Sequence, residues 1–279
     1  MTPRAAEALL PLVALVAFLL AMLAVFTARC VLLGRPAVPE VAKRPRTVLA
    51  KFFQEWWIWL YGPVERVCVR ARIPPDALTL FSASVVAAAG VLLGFGRLSL
   101  GGWLYLFGAS LDFVDGRVAR ATGRTSRAGA FLDSTLDRVA ELFVLGGLAV
   151  ALRDTPFLGA ALAAAGGSVL VSYARARGEA LGAGGDAAVG GMQRPERVVL
   201  TGLPCALSPL AAGVFPGGAN GLVGSALVFV AVTSLLTAAR RIVTIYGALR
   251  SDETGRPRER RPLASVFKLE IGRRRDAAP

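Results

Sequence analysis

The chain has 279 residues, of which 54% are hydrophobic and 18% charged, and its formal net charge is +13 at pH 7. Apolar residues in blocks of about twenty exclude an ordinary soluble domain and indicate an integral membrane protein. The basic residues form short clusters between these blocks, which favours cytoplasmic loops and argues against a nucleic-acid partner.

The first apolar run, residues 8–28, is long enough to cross a bilayer. A signal peptide is the alternative, but the Thr-Ala-Arg-Cys sequence that ends the run is a poor cleavage site. Basic residues follow the run, so the N-terminus is expected outside. We therefore predict an accessory transmembrane span with its linker over residues 1–46.

Residues 47–68 are rich in aromatic side chains and contain three of the four tryptophans. Aromatic rings with a polar edge favour the headgroup region of a membrane. The pattern predicts a juxtamembrane amphipathic helix along the cytoplasmic surface, in a segment covering 47–72. Two prolines then punctuate the chain, and Asp76 is expected to cap a helix that begins near Ala77.

Six apolar segments follow. The predicted spans are 77–96, 103–121, 129–151, 157–173, 198–214 and 221–239. Basic clusters precede the first span, fall between alternate later spans and follow the last, so all lie on one side. We predict a six-span domain at 73–247 that opens its acidic stretch to the cytoplasm, and a charged, disordered cytoplasmic tail at 248–279.

The acidic stretch covers residues 111–138 and places four carboxylates within predicted spans. On a helix, Asp112 and Asp115 share one face, and Asp133 and Asp137 share another. A charged residue in hydrocarbon costs about 2.5–3.5 kcal/mol on insertion scales, so four need compensating cations. Carboxylate oxygens favour magnesium, manganese or calcium, and four carboxylates suffice for two divalent ions. The chain has no histidine, so a general base is expected among carboxylates or other groups.

Small residues and an arginine follow the first two aspartates. Gly116 and Ala119 either let a ligand approach the backbone or let helices pack closely. Arg120 either holds a phosphate through two hydrogen bonds or reaches the interface as a snorkelling side chain. Taken singly, none of these residues decides between the two interpretations.

The joint spacing Asp-x2-Asp-Gly-x2-Ala-Arg-x8-Gly-x3-Asp-x3-Asp resembles the signature of the CDP-alcohol phosphotransferase family. The eight fixed positions are Asp112, Asp115, Gly116, Ala119, Arg120, Gly129, Asp133 and Asp137. The resemblance covers about residues 50–245, including Pro75, Leu78 and Thr79 at the entry to the first span. It implies an all-α polytopic membrane protein, with a six-helix core preceded by a juxtamembrane helix and one extra N-terminal span. Asp76 departs from the asparagine of many relatives.

The resemblance also implies roles for these residues. The four aspartates would surround two divalent cations, Mg²⁺ or Mn²⁺, and Asp137 would also take the proton from the acceptor hydroxyl. Gly116, Ala119, Arg120 and Gly129 would bind the cytidine diphosphate. The implied reaction transfers a phosphatidyl group from a CDP-activated lipid, such as CDP-diacylglycerol, to an alcohol and releases CMP. The resemblance further implies a homodimer.

The acceptor is indicated by basic segments after the fourth span. Residues 172–179 and 194–197, with the loop at 125–127, resemble segments of the phosphatidylinositol phosphate synthases. That resemblance implies a phosphorylated polyol acceptor, inositol phosphate in first place and glycerol 3-phosphate as the alternative. The arginines expected to bind its phosphate are Arg127, Arg175, Arg177, Arg194 and Arg197. The competing interpretation is that they only obey the positive-inside rule.

Two other classes of function remain open on the sequence. Carboxylates within spans also mark ion pathways, which makes a cation transporter one rival. A non-enzymatic lipid-binding protein that keeps the fold is the other. The clustering of the carboxylates in two adjacent spans favours the enzyme. We therefore predict a phospholipid-biosynthetic enzyme of the cytoplasmic membrane, multi-pass and in contact with membrane lipids, with its active site facing the cytoplasm.

Overall fold

The computed structural model describes residues 3–36, 48–183, 191–211 and 214–254. These residues form eight α-helices and one short 3₁₀ helix, Ser208–Ala211, and no strand occurs in the described ranges. The helices are α1 (Pro3–Leu33), α2 (Val48–Arg70), α3 (Pro75–Gly94), α4 (Leu98–Ala121), α5 (Arg127–Ala151), α6 (Leu158–Ala180), α7 (Arg194–Ala206) and α8 (Gly218–Thr254). The predicted all-α fold, with two helices before a six-helix core, is confirmed.

Four of these helices are long and apolar enough to cross a membrane, namely α3, α6, most of α8, and Leu9–Leu33 of α1. Helices α4 and α5 pack among them but carry the charged residues of the acidic stretch. Helix α7 has 13 residues. The chain is a multi-pass membrane protein in which polar helices lie beside apolar ones.

Close backbone contact holds α3 against α5. A methyl group on Gly90 would lie 2.4 Å from the backbone of Phe143, and one on Gly147 would lie 2.0 Å from the carbonyl oxygen of Gly90. Small residues permit this approach, which is how helices gain van der Waals contact where water supplies no driving force. Val144 and Leu148 are fully buried beside this contact. Helix α5, which carries two of the aspartates, is therefore firmly seated on α3.

The helix ends differ from the sequence predictions in several places. Helix α3 begins at Pro75 with Pro74 as its N-cap, so Asp76 lies in the first turn and is not the cap. Helix α6 continues past 173 to Ala180 because arginine, glutamate and alanine favour helix even beyond the apolar stretch. Helix α7 ends at Ala206, before Pro209, whose ring disfavours helix in the preceding residue.

The last helix also runs further than predicted. Helix α8 continues beyond 239 and beyond 247 to Thr254, so the first residues assigned to the tail are helical. The remainder of that tail, residues 255–279, lies outside the described residues, as does the part of the N-terminal linker at 37–46.

Helices α1 and α2 pack on each other through aromatic side chains. Phe26 is fully buried, with its ring 5.4 Å from that of Phe52 and 5.5 Å from that of Trp59. Arg35 pairs with Glu55 at 3.2 Å near the end of α1. Helix α2 in turn is joined to α4 by an ion pair of 2.6 Å between Glu65 and Arg117. The N-terminal helices are thereby attached to the core.

Candidate active site

Three carboxylates from α4 and α5 form one acidic cluster. Asp112, Asp133 and Asp137 each offer an oxygen, and these three atoms lie within 4.8 Å of one another. All three side chains are half-buried. The helices bring them together because only a short connection separates α4 from α5. Ser126 caps α5 by accepting a hydrogen bond of 2.9 Å from the backbone amide of Gly129.

The fourth predicted ligand lies beside this cluster. Asp115 is 5% exposed and accepts a hydrogen bond of 2.5 Å from the hydroxyl of Thr79 on α3. The backbone amide of Gly116 donates to its other oxygen. The structure thus gathers three of the four aspartates and turns the carboxylate of Asp115 toward α3. Thr79 belongs to the predicted entry of the first span, but its contact with Asp115 is not predicted from the sequence.

A guanidinium group joins the two helices of the cluster. Arg194, the first residue of α7, donates to Asp112 at 2.5 Å and to Asp137 at 2.7 Å. Its side chain retains 21% exposure. A planar guanidinium with two donors suits paired carboxylates, and it offsets part of the cost of holding them inside a membrane protein. Of the five predicted acceptor arginines, Arg194 is the one that these contacts bring to the cluster.

Arg197, which the sequence predicts to bind the acceptor phosphate, lies in a buried ion pair with Glu141. Its guanidinium is 3% exposed and pairs with Glu141, with N–O distances of 2.6 and 3.1 Å, and it also donates to the carbonyl of Met192. It lies one turn further along α7 than Arg194 and therefore deeper in the bundle. The guanidinium is thus engaged by Glu141 and not by the acidic cluster, and direct phosphate binding by Arg197 stays a prediction.

Glu141 is the charged residue that sequence reasoning missed. Its side chain is 4% exposed and lies on α5, four residues after Asp137 and eight after Asp133. That spacing places it on the same face as the two aspartates, one turn deeper. The repeated interval of four was the available signal. It was overlooked because the partner, Arg197, is 56 residues away in sequence.

The remaining predicted residues lie near the same end of the bundle. Gly116, Ala119 and Arg120 occupy the last turns of α4, and Gly129 is in the first turn of α5. A methyl group on Gly129 would come within 3.3 Å of a carboxylate oxygen of Asp76. One on Gly116 would lie 3.4 Å from a guanidinium nitrogen of Arg120, so polar side chains border both glycines.

The other three predicted acceptor arginines are exposed. Arg127 begins α5, whereas Arg175 and Arg177 lie near the end of α6, which the antiparallel topology brings to the same side. Arg175 pairs with Glu179 at 2.8 Å, one turn along the same helix. Among the residues that the structure describes, no ion pair joins these three arginines to the acidic cluster, so their part in acceptor binding stays a prediction.

A model of the CDP-alcohol phosphatidyltransferase family matches residues 72–246. The chain belongs to the CDP-alcohol phosphatidyltransferase family. The match covers the six-helix core and begins after α2. It confirms the family predicted from the signature and the assignment of the chain as an enzyme.

Individual relatives of this CDP-alcohol phosphatidyltransferase bear a more specific name. The phosphatidylinositol phosphate synthase of Streptomyces avermitilis is 37% identical over 219 residues, which are 76% of this chain and 87% of the relative. The enzyme of that name from Mycobacterium marinum is 33% identical over 190 residues, 66% of this chain and 79% of the relative. The chain therefore spans most of the length of each.

Two solved structures of the Mycobacterium tuberculosis phosphatidylinositol phosphate synthase resemble the fold. One, with CDP-DAG bound, has a TM-score of 0.58 and 29% identity, and covers 66% of this chain and 92% of its own. The other, with manganese and citrate, has a TM-score of 0.59 at the same identity and covers 66% and 88%. With the family and the acidic cluster, they confirm the predicted divalent-cation cofactor; the number of ions stays a prediction.

Proposed function

We propose that this CDP-alcohol phosphatidyltransferase transfers the phosphatidyl group of CDP-diacylglycerol to a hydroxyl of inositol phosphate, releasing CMP, in phospholipid biosynthesis. The observation that carries the proposal is the cluster of Asp112, Asp133 and Asp137 with the guanidinium of Arg194 across it. The names of the relatives and the signature spacing support the same reaction.

The cluster fits divalent cations. Three hard oxygen ligands within 4.8 Å suit Mg²⁺ or Mn²⁺, and Asp115 would join them after a rotation of its side chain away from Thr79. Two bound ions would neutralise the diphosphate and the charge that develops on the departing CMP.

Asp137 is the proposed general base. Its carboxylate lies at the edge of the cluster, 14% exposed, and its Oδ1 accepts from Arg194. In the reaction the acceptor hydroxyl oxygen forms a bond to the phosphorus that carries the diacylglycerol, and the bond from that phosphorus to the CMP oxygen breaks. The hydroxyl proton passes to Asp137, and the electron pair leaves with CMP.

The nucleotide is assigned to the end of α4 and the start of α5. Gly116, Ala119 and Gly129 have small side chains, which let a flat base and a diphosphate approach the backbone. Arg120 is exposed on the last turn of α4, and a guanidinium suits a phosphate oxygen. These assignments extend the family signature to the residues of this chain.

The acceptor phosphate is assigned to Arg194, with Arg127, Arg175 and Arg177 as the surrounding positive charge. Arg194 keeps two donors directed at the cluster and remains partly exposed, so a phosphate at its outer edge would lie beside the proton acceptor. The protein is proposed to lie in the cytoplasmic membrane. The clustering of basic residues at this end of the bundle supports an active site on its cytoplasmic side. We also propose a homodimer, on the family resemblance.

An assay with parallel acceptors tests the proposal. Purified protein receives CDP-diacylglycerol with Mg²⁺ or Mn²⁺, and inositol phosphate, glycerol 3-phosphate, inositol or serine in separate reactions. We expect CMP release with inositol phosphate, lost on addition of EDTA and restored by excess Mg²⁺. Faster release with glycerol 3-phosphate would replace the proposed acceptor. Metal-independent release, or none with any acceptor, would overturn the reaction itself.

A further inference from the structure

A large apolar cavity extends from the acidic cluster into the part of the protein that the family match leaves out. Its volume is about 1670 Å³, above the range of about 300–1,000 Å³ that is usual for small-molecule sites. Helices α1, α2, α4 and α7 supply most of its lining, to which the 3₁₀ helix adds Ser208 and Pro209 and the start of α8 adds Ala219. A cavity of this size and character suits a lipid better than a nucleotide or a polyol.

The cavity follows α4 for most of the membrane. Asp112 and Arg194 line one end, and Leu98 and Leu100 line the other. Asp112 and Leu98 are 14 residues apart along the helix, which is about 21 Å at a rise of about 1.5 Å per residue. The side chains between them are mainly apolar and include Trp103. An occupant therefore needs a polar group at the acidic cluster and a long apolar portion away from it.

Helix α1 supplies one wall of this cavity. Pro11, Leu15, Phe18 and Leu19 line it, a spacing of four, seven and eight residues that defines one face of the helix. The family match begins only at residue 72, so this wall is an addition of this chain to the common core. The buried ring of Phe26 fixes the same helix to α2.

We propose that the face of α1 formed by Leu15 and Phe18 binds an acyl chain of the CDP-lipid donor and sets which chain lengths and shapes the enzyme accepts. The inference rests on the proposed function, since it names the donor of that reaction as the occupant. The continuity of the cavity with Asp112 and Arg194 favours the donor over a bulk membrane lipid, because only the donor brings its reacting diphosphate to those residues.

The first test narrows the cavity and compares donors. Leu15→Trp is set against Val13→Trp, which adds the same ring on a residue that is 61% exposed and outside the lining. We expect Leu15→Trp to lower kcat/KM for a dipalmitoyl donor about tenfold relative to a dioctanoyl donor, equal to about 1.4 kcal/mol. Val13→Trp is expected to leave that ratio unchanged. Equal ratios in the two variants would overturn the proposal.

A widening variant keeps the test informative if the added ring disturbs folding. Phe18→Ala is expected to shift the preference the other way, raising kcat/KM for the dipalmitoyl or a branched-chain donor relative to the dioctanoyl donor. A shift in the same direction for both variants, or none for either, contradicts the inference. An inactive wild-type enzyme with every donor would instead reject the proposed function.

Photolabelling identifies the occupant without relying on turnover. The full-length protein in nanodiscs receives a CDP-lipid with a diazirine near the end of one acyl chain, followed by illumination and peptide mapping. We expect label on the α1 peptide that contains Leu15, and its loss in the presence of excess unlabelled CDP-diacylglycerol. Label confined to α3 or α6, which do not line the cavity, or label on α1 that the donor does not displace, would overturn the proposal.

Discussion

The six-helix core and the two helices before it are held together by different interactions. In the core, α3 and α5 meet backbone to backbone at Gly90, and a fully enclosed ion pair joins Glu141 to Arg197. Helix α1 instead rests on α2 through the ring of Phe26 and an ion pair whose Arg35 side chain is 45% exposed. The acidic cluster lies in the first region, and the proposed acyl-chain wall lies in the second.

The largest effect is expected from Asp137→Asn in the core. The amide has no proton affinity comparable with the carboxylate, so CMP release should fall by about 10²–10⁴-fold, the usual contribution of general acid–base catalysis. Binding of the CDP-lipid should change little. A CMP-release assay and a donor-binding assay on the same preparation measure the two quantities.

Asp154→Asn is the matched control, because Asp154 is an exposed aspartate that pairs with Arg153 in the turn after α5. Normal turnover in the Asp137 variant would remove that residue from its role as base.

Arg197→Met tests the buried pair of the core. Removing one partner of a buried ion pair costs about 3–5 kcal/mol, because Glu141 is left charged without compensation. We expect a marked fall in thermal stability in detergent, and recovery of most of it in the double variant with Glu141→Leu. Arg124→Met, at an exposed arginine in the turn before α5, should leave stability unchanged.

Wild-type stability together with a raised acceptor KM in the Arg197 variant would restore the direct phosphate role that the sequence suggested. The two roles are distinguishable because a structural role changes the thermal stability, whereas a phosphate-binding role changes the KM for the acceptor.

Arg194→Ala tests acceptor binding by Arg194, the partly exposed arginine one helical turn before Arg197. Hydrogen bonds to charged groups contribute about 1.5–3 kcal/mol, so the KM for inositol phosphate should rise by at least about tenfold. The KM for the CDP-lipid should change less. Arg153→Ala, on the turn after α5, provides the control in the same kinetic assay. An unchanged KM for inositol phosphate would contradict acceptor binding by Arg194 and favour the interpretation that it only obeys the positive-inside rule.

Phe26→Ala is expected to have the smallest effect on catalysis. It removes two ring contacts, each worth about 0.5–1.5 kcal/mol, from a helix that does not touch the acidic cluster. Turnover of CDP-diacylglycerol should stay close to wild type because Phe26 lies away from the acidic cluster, whereas thermal stability should fall, since truncating a fully buried phenylalanine costs about 3–5 kcal/mol. Val25→Ala, at an exposed neighbour, is the control. Complete loss of turnover would show that the core depends on α1 and would remove the contrast between the regions.

The sequence predicted the parts of this architecture that depend on local spacing. The intervals of three and four residues among the aspartates fixed which faces of α4 and α5 carry them, and the apolar blocks gave the helices. The short loop between α4 and α5 also predicts that their aspartates lie close together, because it keeps the two helices adjacent. Arg194 was singled out from its sequence segment, and the structure brings it to that site.

Contacts between distant residues were beyond this reasoning. Arg197 and Arg194 look equivalent in sequence, and only the depth of α7 in the bundle separates a buried structural arginine from a partly exposed one. Thr79 on α3 likewise meets Asp115 through packing that no local pattern encodes. The predicted ends of α6 and α8 fall short of the observed ends because the residues beyond each apolar run are polar, and hydropathy alone does not show that they favour helix.

The contact between Gly90 and Gly147 has a consequence for the energetics of the reaction. With so little room between their backbones, α3 and α5 can neither slide nor turn against each other without a steric clash. Asp133 and Asp137 lie on α5, and Thr79, which donates a hydrogen bond to Asp115, lies on α3. The packing of the helices thus positions Asp133 and Asp137 in advance, and the rotation of Asp115 away from Thr79 is the reorganisation that cation binding still requires.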